Sequence, residues 1–160
     1  RIGMLVFYPA RFPELWRTLA VKGAELIVCP WCVPAIFTVP DVTNSLKHRS
    51  YTRAQENGVY FLSCNRSGLQ GQMQMMGHSV VAAPDGTIIG ASETVEEDVV
   101  RVELTEERLL SYRSTLSIFR DRRPELYGKL VEPFGAELPG DLAAVDVDRL
   151  AGHVPGGVGE

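Results

Sequence analysis

The amino-terminal end of the chain alternates between two kinds of pattern, and this alternation restricts the fold more than any other feature. Residues 2–7 and 25–29 are short and apolar, which is typical of strands buried on both faces. Between them, apolar side chains recur at helical spacing from Phe12 to Ala20, with Pro13 suited to a first helical turn and Gly23 suited to the helix end. A strand, a helix and a strand in so short a span predict a parallel pair with a right-handed crossover, and therefore an α/β fold.

The next segments extend this pattern. Residues 44–57 are compatible with a helix, with Asn44 as its N-cap and Gly58 as its stop. Residues 59–65 are again strand-like. The sequence therefore predicts a third strand after a second helix.

A hairpin and a further helix are predicted downstream. Pro84–Asp85–Gly86 separates two apolar runs, residues 79–83 and 87–90, which is a strong hairpin signal. Residues 98–104 alternate charged side chains with Val and Leu, so we expect a strand with one solvated face. Thr105 is suited to cap a helix that begins with two glutamates.

Composition excludes several classes of function. The 160 residues carry a net charge of -4 with no long block of like charges, so we expect neither nucleic-acid nor membrane-surface binding. No apolar run approaches the length of a transmembrane helix, and we find no signal peptide. Three cysteines, an odd number, predict reduced thiols and a cytoplasmic location.

The cysteines and histidines raise the question of two kinds of reactive site, a redox pair and a zinc site. Cys29 and Cys32 have the spacing of a redox pair, but Pro30 and Pro34 oppose the helix that would lower a thiol pKa there. A zinc site needs four ligands within tetrahedral reach, and the three histidines are scattered along the chain. We therefore expect no redox pair, no metal and no cofactor.

An ordered set of short motifs resembles the carbon–nitrogen hydrolase (nitrilase and amidase) superfamily, in its carboxyl-terminal portion. Each motif is weak alone, but their order and spacing together are specific. They run from residue 2 to about residue 132 and are Tyr8 with Arg11–Phe12–Pro13–Glu14, Leu26–Ile27–Val28–Cys29–Pro30, Arg53–Ala54–Gln55–Glu56–Asn57, Asn65–Arg66–Ser67–Gly68, Gly77–His78–Ser79 with Pro84–Asp85–Gly86, and Arg122–Arg123–Pro124–Glu125–Leu126–Tyr127.

The resemblance implies a four-layer αββα sandwich of the nitrilase type, of which this chain has the carboxyl-terminal part. It further implies hydrolysis of non-peptide C–N bonds in small amides, nitriles or N-carbamoyl compounds, without a metal, and assembly into oligomers. Family members use a Cys nucleophile, a Glu general base and a Lys that stabilises the oxyanion. We expect residues 1–132 to form this domain and residues 133–160 to be a mobile, Gly- and Pro-rich extension.

Two departures from the family pattern bear on activity. Phe7 stands where the family has its Cys nucleophile, and Pro9 stands where it has an Asp. The Glu and Lys belong to the family's amino-terminal half, which has no counterpart in these residues. We therefore expect the chain to be inactive as it stands.

Three explanations stay open for such a chain. It is the carboxyl-terminal piece of a larger protein, or it is a pseudoenzyme that binds or assembles with a partner chain, or Cys32 has taken over the role of the nucleophile. A substrate-binding site, if one is present, is predicted at Phe7, Tyr8, Arg11, Trp31 and Cys32. The partners expected are a small amide-like substrate and either a second copy of the chain or the missing amino-terminal half.

Overall fold

A computed structural model describes residues 1–35 and 42–132. These residues fall into two units, of which the first is Arg1–Arg122 and the second begins at Arg123. The first unit contains seven strands and three α-helices. In chain order they are β1 Ile2–Met4, α1 Pro13–Val21, β2 Leu26–Trp31, α2 Val42–Asn57, β3 Tyr60–Asn65, β4 Leu69–Gln70, β5 Met73–Gln74, β6 Val80–Ala82, β7 Ile88–Ala91 and α3 Glu106–Thr115.

Five of the strands form one mixed sheet in the order β1-β2-β3-β6-β7. Strands β1, β2 and β3 are parallel, which confirms the predicted strand–helix–strand unit and extends it by one strand. Strands β6 and β7 are antiparallel and add to the edge formed by β3. Three parallel strands thus end at the same edge of the sheet.

Helix α1 begins and ends as the sequence predicts. Pro13 occupies its first turn, and the chain leaves it through Gly23, which has a φ of +94°. The Gly23 amide donates to the Ala20 carbonyl at 2.9 Å, and the Ala24 amide donates to the Leu19 carbonyl at 3.0 Å. This pair of bonds is a Schellman motif, and it turns the chain directly into β2.

The main core lies between one face of the sheet and the helices α1 and α2. Trp16 of α1 is fully buried and meets Phe61 of β3 edge-to-face, with 4.5 Å between ring centroids. Helix α2 presents a buried stripe at helical spacing that is unusually polar. Its members are Leu46, Ser50, Ala54 and Asn57. The helix begins two residues before the predicted start, so Asn44 is not its N-cap.

The predicted hairpin is confirmed between β6 and β7. The Ala83 amide donates to Thr87, and the Gly86 amide donates to Ala83, both at 2.8 Å. Gly86 has a φ of +90°, and a Cβ built there would lie 2.7 Å from the Tyr51 ring. Both the backbone conformation and the close approach of α2 therefore require glycine at this turn.

Residues 98–104 form no strand within the described part of the chain, so that prediction was wrong. The alternation behind it is present in part, because Val100 and Val102 are half-buried and their neighbours are exposed, but Leu104, also expected to point inward, is exposed. A Cβ built at Gly90 would clash with both valine side chains. The segment thus lies across a face of the sheet without sharing a hydrogen-bond ladder.

Strand β1 is open on the sheet face opposite the main core. Ile2, Met4 and Val6 alternate along the chain and are 71%, 63% and 56% exposed. The expectation of burial on both faces was wrong here, since the described residues cover only the other face, where Gly3 and the following Leu5 are buried. We call Ile2, Met4 and Val6 the open face.

Helix α3 is capped as predicted, because the Thr105 side chain accepts a hydrogen bond from the Arg108 amide at 3.4 Å. Its Leu109 packs with Tyr60 and Ala83, on the sheet face opposite Phe61. Arg113, in its last turn, donates to the carbonyls of Gly58 and Ala24, both at 2.7 Å. This one side chain ties the helix to the segments that lead into β3 and β2.

The described residues of the second unit form two 3₁₀ turns, Pro124–Leu126 and Gly128–Val131. The predicted extension at residues 133–160 lies outside the described residues. Within residues 1–35 and 42–132, no helix combines the length and the apolar character needed to cross a bilayer.

Candidate functional site

The turn that follows β1 holds Phe7 in a strained backbone conformation. Phe7 has a φ of +55° and a ψ of -108°, a combination that glycine adopts far more readily than other residues. Its amide donates to the Pro30 carbonyl and its carbonyl accepts from the Ala10 amide, at 3.0 and 3.1 Å. A sharp turn of this kind between a strand and a helix is how several hydrolase folds present a nucleophile.

Aromatic side chains surround this turn. The Phe7 ring meets Trp31 edge-to-face, with 6.3 Å between centroids, and Tyr8 meets Phe12 in the same way at 5.6 Å. The Arg11 guanidinium lies 5.9 Å from the centroid of the Tyr8 ring. Phe7 and Tyr8 are 38% and 58% exposed, whereas Trp31 is only 4% exposed. The predicted binding residues thus gather where β1 and β2 end, with Trp31 buried beside the exposed rings.

The two cysteines with redox spacing occupy different environments. Cys29 lies within β2 and is fully buried against the main core, whereas Cys32 follows the strand and is exposed. Burial raises the pKa of the Cys29 thiol to about 11. Because β2 continues through Trp31, no helix amino terminus stands next to Cys29 to activate it. Of the two, only Cys32 is placed to meet a ligand.

Helix α2 supplies a residue that sequence reasoning missed. The Arg49 guanidinium lies 5.1 Å from the centroid of the Trp31 ring and is half-buried. Burial lowers the pKa of Arg49, and the like charges of Arg11 and Arg53 lower it further. The only sequence signal was indirect, since a helix with so few apolar residues must direct some polar side chains towards the rest of the protein.

The motif Arg53–Ala54–Gln55–Glu56–Asn57 holds the end of α2 in place. Arg53 pairs with Glu56 at 2.7 Å, and Asn57 donates from its side chain to the Arg53 carbonyl at 2.9 Å. The Glu56 carbonyl in turn accepts a hydrogen bond from Arg17 of α1. Glu56 is thereby committed to an ion pair and the motif stabilises the junction of the two helices.

Asn65, at the end of β3, joins two loops near the site. Its side-chain oxygen accepts from the Val33 amide at 3.0 Å, and its side-chain nitrogen donates to the Gly77 carbonyl at 2.7 Å. His78 has a φ of +55°, and its Nδ1 lies 2.5 Å from the Met76 carbonyl oxygen, to which it donates. The motifs N-R-x-G and G-H-S thus stabilise the loops around the strand ends.

A cavity of about 890 Å³ lies beside these loops. Cys64 and Ser79 line one part of it, and acidic side chains of residues 96–98 line another. Within residues 1–35 and 42–132, no group of three or more His, Cys, Asp or Glu side chains is placed to hold a metal ion.

Comparison with known proteins gives consistent matches. The family model for carbon–nitrogen hydrolases matches residues 1–114. A hydrolase in the pqqF 5′ region of Pseudomonas protegens is 37% identical over 132 residues, which are 81% of this chain and 44% of that protein. The human deaminated glutathione amidase is 36% identical over 135 residues, which are 83% of this chain and 39% of that protein.

A solved structure matches in the same way. The carbon–nitrogen hydrolase from Helicobacter pylori G27 superposes with a TM-score of 0.77 over 84% of this chain and 50% of that one, at 23% identity. At that identity the likeness shows the fold alone, and it confirms the predicted nitrilase-type α/β class. The chain spans less than half the length of either of these two curated relatives.

Proposed function

The chain belongs to the carbon–nitrogen hydrolase family, and on that basis we propose that it forms the carboxyl-terminal part of a domain that binds a small amide-like compound without hydrolysing it by the family's thiol chemistry. The observation that carries the proposal is Phe7 at the strained turn after β1. A phenyl ring has no atom able to attack a carbonyl carbon, so no thioester forms at this position.

The geometry of the turn supports this assignment of Phe7. Holding a non-glycine residue at a φ of +55° costs about 1–3 kcal/mol, and such strain concentrates at active sites. Phe7 also stands at the carboxyl end of a parallel strand, where α/β sheets place their ligands. The backbone is therefore arranged to present a side chain to a ligand, and the side chain presented is an inert one.

The class of compound is proposed from the family. Relatives that this chain resembles include a human deaminated glutathione amidase and a nitrilase from Pyrococcus abyssi. We propose a small amide, nitrile or N-carbamoyl compound as the ligand, contacted by Tyr8 and Arg11 and bordered by Cys32. All three cysteines are unpaired, which supports a reducing, cytoplasmic location.

Turnover assays test the absence of hydrolysis. The full chain is incubated with small amides and N-carbamoyl amino acids, ammonia is measured, and intact-mass spectrometry searches for a thioester. We expect neither ammonia nor an acyl adduct. Ammonia release by the wild-type chain that disappears in Cys32→Ser, together with an adduct on Cys32, would show instead that this thiol had become the nucleophile.

A second function, assembly with another polypeptide, is favoured by the open face. Isolated exposed apolar residues are ordinary, but Ile2 and Met4 of β1 and Val6 just after it are each more than half exposed and form a patch typical of an interface. The partner we propose is the family's amino-terminal half or a second copy of this chain. In either case a non-catalytic chain would serve as a binding or assembly module.

Native mass spectrometry tests assembly. The wild-type chain is compared with Met4→Lys, on the open face, and with Leu110→Lys, a matched control that is 55% exposed on α3. We expect a complex of defined size that Met4→Lys dissociates and Leu110→Lys leaves intact. A wild-type chain that is monomeric alone, and does not bind a separately produced amino-terminal half from a relative, would contradict the assembly proposal.

A further inference from the structure

The carboxyl ends of β1 and β2 carry positive charge that the described residues do not neutralise. Arg49 lies over the Trp31 ring, which meets Phe7, and Arg11 lies beside the ring of the next residue, Tyr8. The charge of Arg11 lowers the pKa of Arg49. Arg53, the third arginine nearby, is paired with Glu56. Within residues 1–35 and 42–132, neither Arg11 nor Arg49 forms an ion pair.

This local excess is unusual for the chain as a whole. The net charge is -4, so acidic side chains are in surplus, yet none of those described pairs with these two guanidinium groups. Arg49 is also half-buried, and placing a charge there beside like charges is unfavourable unless an anion compensates it. The Trp31 ring compensates in part, through a cation–π contact at 5.1 Å.

Trp31 shows a second unsatisfied group at the same place. Its indole N–H is buried and has no hydrogen-bond acceptor among the described residues. The other tryptophan differs, because the Trp16 indole donates to the Ala10 carbonyl at 2.9 Å. Leaving a buried donor without a partner costs about 1–3 kcal/mol. Among the described residues, therefore, neither the two guanidinium groups nor the Trp31 indole has a protein acceptor where the first two strands end.

We propose that Arg49 and Arg11, backed by Trp31, form a binding site for a carboxylate. A guanidinium group presents a planar pair of N–H donors that matches the two oxygens of a carboxylate, and the half-burial of Arg49 weakens competition from water there. The inference rests on the proposed function, and it narrows the ligand to small amides that carry a separate carboxylate group. Phe7 and Tyr8 then border the uncharged part of the ligand.

Two probes of the same shape and different charge test the site. Succinamate has one amide and one carboxylate, whereas succinamide has two amides and no charge. Each is titrated into the full chain while the two indole N–H signals are followed by ¹H–¹⁵N NMR. Trp31→Phe assigns the signals, and the Trp16 indole, which already has its acceptor, is the internal reference.

The expected result is that succinamate shifts the Trp31 signal, leaves the Trp16 signal unchanged and binds at least about tenfold more tightly than succinamide. Arg49→Gln should abolish this preference, and Arg49→Lys should keep part of it, because the charge remains and the planar fork is lost. The matched control Arg101→Gln removes an equal charge from an exposed position and should leave binding unchanged.

Three outcomes would overturn the proposal. They are equal affinity for the two probes, a preference for succinamate that persists in Arg49→Gln, and a succinamate titration that does not move the Trp31 signal. If Arg49→Gln fails to fold, Arg49→Lys takes its place. A preference for succinamate in Arg49→Lys as large as that of the wild-type chain would then contradict the role of the planar guanidinium group. Ammonia release during the titration would contradict the absence of hydrolysis and leave the binding result standing.

Discussion

The attachment of α3 by Arg113 allows a prediction with a matched control on the same helix. Arg113→Met keeps most of the apolar stem and a similar helix propensity, but it removes the donors to the Gly58 and Ala24 carbonyls. Arg108→Met makes the same substitution on the same helix, five residues earlier. Arg108 pairs with Asp85 at 2.9 Å, and both side chains are more than one-third exposed.

The expected magnitudes differ because the partners differ. For a hydrogen bond from a charged donor to a carbonyl we take about 1.5 kcal/mol, the lower end of the usual range. Arg113→Met removes two such bonds and should cost about 3 kcal/mol. The Arg108–Asp85 pair is bidentate but more than one-third exposed, and we take its contribution as about 1 kcal/mol, the upper end of the usual range for surface pairs. Arg113→Met should therefore lower the free energy of unfolding by roughly three times as much as Arg108→Met.

Urea unfolding followed by circular dichroism measures both variants, and equal m-values would show that the same surface is exposed in each case. The reasoning would be refuted if Arg113→Met destabilised the chain no more than Arg108→Met. Burial lowers the pKa of Arg113, and the charge of Glu25 opposes that effect, so the side chain stays protonated throughout the usual pH range.

Two further predictions follow from burial and backbone conformation. Because burial raises the pKa of Cys29 to about 11, iodoacetamide at pH 8 should alkylate the two exposed cysteines and spare Cys29, as peptide mass spectrometry would show. The raised pKa also predicts that the free energy of unfolding falls as the pH rises from about 9 to about 11. Urea titrations at several pH values would follow this fall. Gly86→Ala should destabilise the chain by about 1–3 kcal/mol, and by more than Gly71→Ala, because both glycines have a positive φ but only Gly86 lies against Tyr51; equal losses in thermal unfolding would contradict this.

Local signals in the sequence predicted the elements whose causes are local. Pro13 and Gly23 bracket α1, and Pro84 to Gly86 form the predicted hairpin, because a backbone conformation at one or two residues determines each boundary. The parallel order of β1 and β2 followed from the short helical connection between them.

Features that depend on distant parts of the chain were not predictable in this way. The alternation in residues 98–104 correctly predicted that Val100 and Val102 are half-buried. It could not predict that the segment forms no hydrogen-bonded strand, because strand pairing depends on which other backbone segment lies next to it. The apolar pattern of β1 likewise indicated that Ile2 and Met4 favour burial, but it could not say whether the described residues would cover them.

The residues of the candidate site differ in the same way, because some are predictable from local sequence and one depends on a distant helix. Phe7, Tyr8, Arg11, Trp31 and Cys32 are predictable because they end or follow strands whose carboxyl ends meet, and the structure shows the contacts Phe7–Trp31 and Tyr8–Arg11 there. Arg49 was missed because it reaches Trp31 from α2, and no local pattern specifies which face of that polar helix meets the strand ends.

The strained turn at Phe7 has a consequence for how the chain can change over generations. The codons for phenylalanine and cysteine differ at a single base, and the backbone at residue 7 already bends as a presented side chain requires. A single point mutation would therefore place a thiol at residue 7 without any change in the backbone of the turn. Populations that carry this gene sample that substitution continually, so the persistence or loss of Phe7 among them would record whether selection favours the inert ring.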